Sequence, residues 1–143
     1  MDKLYLGVAR ENITPAVGCQ LYGYRPNIFS TTVADELTAT AFYFKQGSTE
    51  ALMLSITVCL INTELSKNIA KLIYEEFGIP EENCMLSATH THSGPNTAGA
   101  TGWGDIDKEY CSNIFIPRIL AAVKQAKGAA VPVKMVWQAA KAL

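Results

Sequence analysis

His90 and His92 are the only imidazoles in the chain, and they sit two positions apart in Thr89-His90-Thr91-His92-Ser93-Gly94-Pro95. A largely apolar stretch, Asn83 to Ala88, leads into them and reads as a short strand. Side chains alternate faces in extended backbone, so Cys84, Leu86, Ala88, His90 and His92 are predicted to share one side. The two histidine Cα atoms would then lie about 6.5–7 Å apart. Imidazoles at that spacing can both approach one metal ion or its bound water. Gly94-Pro95 turns the chain away and leaves the pair at a strand tip. Taken singly, each is more simply a polar loop histidine; the pairing at a strand end, before Ser-Gly-Pro, is what points to a site.

Several H-x-H arrangements do not fit. A metallo-β-lactamase-like site needs an acid and another histidine directly after the pair, where Ser93-Gly94 stand. An amidohydrolase barrel needs about 250 residues, and this chain has 143. A cupin motif places a glutamate a few residues on, where Pro95, Asn96 and Thr97 occur.

The elements that must position the pair follow from periodicity. Leu4 to Ile13 reads as a strand closed by Thr14-Pro15. Gly18 to Thr32, with Tyr22, Tyr24 and Phe29, reads as a long ordered loop of the kind that often carries function. Leu37 to Lys45 and Ala51 to Leu60 are two strands joined by the turn Gln46-Gly47-Ser48-Thr49. A helix follows, capped by Asn62 or Thr63, with Leu65, Ile69, Leu72, Ile73 and Phe77 as its apolar stripe, stopped by Gly78 and Pro80. Asp107 caps a second helix reaching about Lys127, with a kink or break expected at Pro117. Val133 to Gln138 begins a further strand. Strands interleaved with amphipathic helices predict one α/β layered domain over residues 1–143, a mixed β-sheet flanked by helices.

Composition narrows the function. The formal net charge is −1, with 49% apolar and 17% charged residues, as in a soluble globular domain with no field to attract nucleic acid. Lys124, Lys127, Lys134 and Lys141 read as a solvated surface. The longest apolar run, Ala51 to Ile61, is too short to span a bilayer, so no transmembrane segment is expected. Met1-Asp2-Lys3-Leu4 does not begin a signal peptide, which implies a cytoplasmic protein unless an export signal has been removed. Cys19, Cys59, Cys84 and Cys111 are dispersed and read as buried free thiols. Arg10 is expected to pair with an acid, and Trp103 to form a lid or pack on the second helix.

Leu86-Ser87-Ala88-Thr89-His90-Thr91-His92-Ser93-Gly94-Pro95 resembles the T-H-T-H-S-G-P signature of the neutral/alkaline ceramidases and their bacterial relatives. The resemblance runs in order along nearly the whole chain. It takes in Gly7-Val8-Ala9-Arg10 through Ile13-Thr14-Pro15, then Gly23-Tyr24, Gly78-Ile79-Pro80-Glu81-Glu82-Asn83 and Gly102-Trp103-Gly104-Asp105.

That resemblance implies the N-terminal part of a Zn2+-dependent amide hydrolase. His90 corresponds to a zinc ligand and His92 to the histidine beside the metal that serves water or substrate. The remaining ligands and an oxyanion-stabilising arginine belong to segments beyond Leu143. The substrate implied is an N-acyl amide or sphingolipid-like molecule. With one mapped ligand, the chain alone is expected to bind zinc in the micromolar range or more weakly, or not at all, and to be inactive, since a catalytic zinc needs about three protein ligands and an open position. Thr40 and Thr57 stand where relatives carry an arginine and an aspartate. The alternative is a non-catalytic binding or structural member of the same fold that has lost the metal site. A natural short protein whose partner supplies the other ligands is a third reading.

Overall fold

The computed structural model describes residues 2–139. A five-stranded sheet is formed by β1 (Leu4–Asn12), β3 (Thr38–Gln46), β4 (Thr49–Ile56), β5 (Cys84–Ala88) and β7 (Val131–Val133), in the order β5-β4-β3-β1-β7. β2 (Leu21–Tyr22) and β6 (Gly94–Pro95) pair separately. The helices are α1 (Thr63–Phe77), the single turn α2 (Lys108–Tyr110) and α3 (Ile116–Gly128). β1–β3, β3–β4 and β1–β7 are antiparallel, whereas β4–β5 is parallel. The sheet is therefore mixed, as its sequence pattern implies.

The parallel pair exists because α1 carries the chain back between β4 and β5. Asn62 is the N-cap: its side chain accepts a 2.7 Å hydrogen bond from the Leu65 amide. Gly78 adopts φ +73°, and its amide donates to the Tyr74 carbonyl, closing the last turn. Leu65, Ile69 and Ile73 point into the same core as Ala39, Ala41, Tyr43, Leu52, Leu54 and Ile56. Each fully buried aliphatic side chain there contributes about 1.5–3 kcal/mol over its exposed state. Ile119, Val123 and Ala126 of α3 join that core. Gly7 is required here, because a Cβ on it would fall 1.8 Å from the Ala126 carbonyl oxygen. Among the described residues both long helices thus pack on one face of the sheet.

The second helical span breaks near Pro117, as expected. Asp107 caps α2, and a wide π-helical turn, Cys111–Phe115, precedes α3. Proline cannot donate a backbone bond and crowds the preceding turn; a widened turn just before it accommodates both faults.

Two sequence expectations need correction. The last strand covers Val131–Val133, not Val133 to Gln138: only Leu4, Tyr5 and Leu6 of β1 offer it partners, and Met135, Val136 and Trp137 lie exposed beyond it. Lys127 is no free surface charge. Its Nζ lies 2.5 Å from Glu50 Oε2, donates to the Phe77 carbonyl at 3.0 Å and sits over the Tyr43 ring. Lys141 falls outside the described residues.

Candidate metal centre

β5 delivers the histidines, but not by the alternation its sequence suggests. The strand ends at Ala88, and His90 has φ +65°. A non-glycine residue there is uncommon and costs free energy. The kink is held by the backbone: the Thr89 amide donates to the Ile56 carbonyl and the His90 amide to the Val58 carbonyl, each at 3.0 Å. The parallel pairing with β4 thus continues past the strand while the His90 side chain is redirected. Its ring centroid comes to lie 5.1 Å from that of His92, edge to face. His90 is exposed and His92 half-buried, so the pair is open at the end of the strand.

Each ring is held by neighbours. His90 Nδ1 lies 3.0 Å from the Cys59 carbonyl oxygen. A carbonyl only accepts, so this bond places the proton on Nδ1 and leaves the Nε2 lone pair for a metal. A backbone carbonyl is one of the usual partners of a ligand imidazole. His92 packs over Gly23, where a Cβ would fall 2.4 Å from the ring, and meets the edge of Tyr24 at 5.0 Å between centroids. The β2–β6 pairing, Leu21 with Pro95 and Tyr22 with Gly94, brings the long loop to the histidine segment.

Behind the pair the chain is pinned by residues that sequence reading did not single out. Thr97 Oγ1 donates to the Leu60 carbonyl at 2.5 Å. Buried Asn96 accepts from the Ala98 and Gly99 amides and donates to the Gly104 and Asp105 carbonyls. Asn96 therefore shapes the glycine-rich loop that follows. Trp103 packs against the long loop rather than the second helix: its ring lies 5.6 Å from Tyr22, in a small cluster with Cys59 and Ala98. Tyr22 anchors the loop, and Tyr24 is 71% exposed beside His92.

Cys59 is the residue whose proximity no sequence spacing announced. Its side chain is 2% exposed, and its sulfur lies 3.9 Å from His90 Nδ1. Donor atoms of Cys59, His90 and His92 all fall within 4.8 Å of one another. Burial pushes the Cys59 thiol up. One thiol and two imidazoles suit a borderline-soft ion such as zinc, so the residues present fit the metal that the sequence resemblance implies. All four cysteines are free thiols; Cys59 and Cys111 are buried as expected, whereas Cys19 and Cys84 are half-buried.

Other expectations are revised. Among the described residues Arg10 meets no acid: its Nε donates to Thr40 Oγ1 at 3.1 Å, directly across the β1–β3 ladder. Thr57 Oγ1 lies 3.4 Å from Thr38 Oγ1. A cleft of about 610 Å3 is lined by Thr57, Thr91 and Ser93 with residues of the long loop, but neither histidine lines it. Among the described residues no helix is long and apolar enough to cross a membrane.

No family model matches the chain. Its fold is similar to that of neutral ceramidase from Pseudomonas aeruginosa, with a TM-score of 0.78 and 20% identity, over 92% of this chain and 22% of that one. A structure of ceramidase complexed with C2 gives a TM-score of 0.79 and 19% identity, again over 92% of this chain and 22% of the other. The chain therefore spans about a fifth of the length of these proteins, and at such identities the likeness is one of fold. Over nearly all its described length, this chain has the fold of part of a neutral ceramidase, the family its histidine signature resembles.

Proposed function

We propose that residues 1–143 are the N-terminal portion of a zinc-dependent amide hydrolase that cleaves an N-acyl amide of sphingolipid-like character. The observation that carries the reading is the His90–His92 pair at the open end of β5, with His90 Nδ1 tied to the Cys59 carbonyl. The fold shared with neutral ceramidase supports it.

His90 is the metal ligand contributed by this chain, presenting Nε2 while its backbone bond to Val58 and its ring bond to Cys59 fix the imidazole. Zinc, when bound, supplies Lewis acidity toward the amide carbonyl and activates water near neutral pH. His92, steered by Gly23 and Tyr24, passes a proton or donates to the developing oxyanion. The products are a carboxylic acid and an amine. Further ligands and the groups that bind substrate come from a longer chain, so residues 1–143 alone are not expected to turn over substrate.

The test is an assay of the longer protein against ceramides and short N-acyl amines, with and without a chelator. Chelator-sensitive release of amine is expected. A zinc-loaded protein that cleaves none of them contradicts the substrate class, and one that also lacks zinc supports a non-catalytic domain on the same fold.

A further inference from the structure

We propose that Cys59 is a metal donor, and that Cys59, His90 and His92 form a three-donor site for a zinc-like ion within this chain by itself. The inference goes beyond the hydrolase reading, which takes only His90 from residues 1–143 as a ligand. The chain holds two histidines and four cysteines, and both histidines converge with one of those thiols to within 4.8 Å, donor to donor. They come from two segments 31 positions apart, joined by the parallel extension of β4 and β5. In a tetrahedral zinc site, sulfur and nitrogen donors sit about 3.6 Å apart, as follows from bonds of about 2.3 and 2.0–2.1 Å. Cys59 Sγ lies 3.9 Å from His90 Nδ1, already close to that. In this three-donor site His90 therefore coordinates through Nδ1, with its proton on Nε2 and its bond to the Cys59 carbonyl given up, whereas in the hydrolase reading it presents Nε2.

The environment favours coordination over packing alone. The thiol is covered by Tyr22, Ala98 and Trp103, which leaves the histidine side as its polar direction. His90, exposed at the rim, leaves a path for the ion. When the sulfur–metal bond forms, the thiol proton passes to solvent and the thiolate supplies one negative charge, which suits a divalent ion between neutral imidazoles. His92 has different tasks in the two readings: coordination in this chain alone, and proton transfer where a longer chain brings further ligands.

The 143-residue chain, reduced and checked for folding by circular dichroism, is titrated with Co2+ while the absorption spectrum is followed, and Zn2+ is then used to displace it. A sulfur-to-cobalt charge-transfer band in the near ultraviolet is expected, at one ion per chain. It should persist when Cys19, Cys84 and Cys111 are all changed to Ser, and vanish in Cys59→Ser or Cys59→Ala. Cys59→Ser should weaken Zn2+ binding about 100-fold or more, since even the outer partners of a ligand are worth about 10- to 100-fold. If Cys59 variants do not fold, the band in the variant lacking the other three thiols makes the assignment. Cobalt bound without a sulfur band overturns the role of Cys59 and leaves His90 as a ligand. No cobalt binding overturns the three-donor site, while the hydrolase reading, whose other ligands lie in a longer chain, stands.

Discussion

His92 lies so close over Gly23 that a Cβ there would fall 2.4 Å from the imidazole ring. Gly23 also has φ +125°, a conformation that side chains rarely adopt. One residue of the long loop thus sets where a histidine 69 positions later in the sequence can sit. Gly23→Ala is expected to destabilise the chain by about 1–3 kcal/mol and to displace the His92 ring. Urea unfolding reads the first effect and the His92 side-chain NMR signals the second. An unmoved ring with unchanged stability contradicts the contact.

The Glu50–Lys127 pair makes stability depend on acid. Burial alone would push the Glu50 carboxyl up, but hydrogen bonds from Lys127 and Tyr43, together with the Lys127 charge, bring it below its ordinary 4.5. A carboxyl lowered by folding contributes stability that is present above the unfolded value and lost as pH falls through the folded one. Glu50→Gln should therefore cost stability at pH 7, and the gap to the parent chain should shrink as pH falls below about 4. Denaturation midpoints at the two pH values check this. A gap that stays constant or widens in acid would falsify the assignment.

Two thiols should be sluggish. Burial, with the charges of Glu81 and Glu82, pushes Cys84 up to about 11, and burial with Asp107 does the same for Cys111. Only the thiolate is alkylated. At pH 8 it amounts to about one part in a thousand for such groups, against about a quarter to a tenth for a free thiol of pKa about 8.5–9. Mass spectrometry of time-resolved alkylation in the folded chain should show both reacting about 100-fold more slowly than a free cysteine peptide. Peptide-like rates at either position contradict their burial.

Much of the frame was legible because it rests on local pattern. The stripe Leu65–Ile69–Ile73, the Asn62 cap, the Gly78 stop and the break at Pro117 all appear where periodicity and backbone chemistry place them. So does the histidine pair that follows β5, with His90 exposed and His92 half-buried. What escaped was set by partners distant in sequence. The left-handed backbone at His90 depends on the Val58 carbonyl, and the thiol beside the site comes from Cys59 on the other side of α1. Arg10 met Thr40 because the β1–β3 register put them opposite each other, which no charge pattern in either strand reveals. β7 pairs with Leu4 to Leu6 at the start of β1, and that register with a strand far away in sequence, not its own composition, marks its bounds.

The central claim is that His90 holds the metal while His92 serves the chemistry, and zinc content separates the two roles. In the longer protein containing this chain, His90→Ala should lower both bound zinc, measured by atomic emission, and the rate of N-acyl hydrolysis. His92→Ala should keep most of the zinc and lose about 10²- to 10⁴-fold in rate, as expected for a group that moves a proton. A His90→Ala protein that retains full zinc occupancy would contradict the account at its centre.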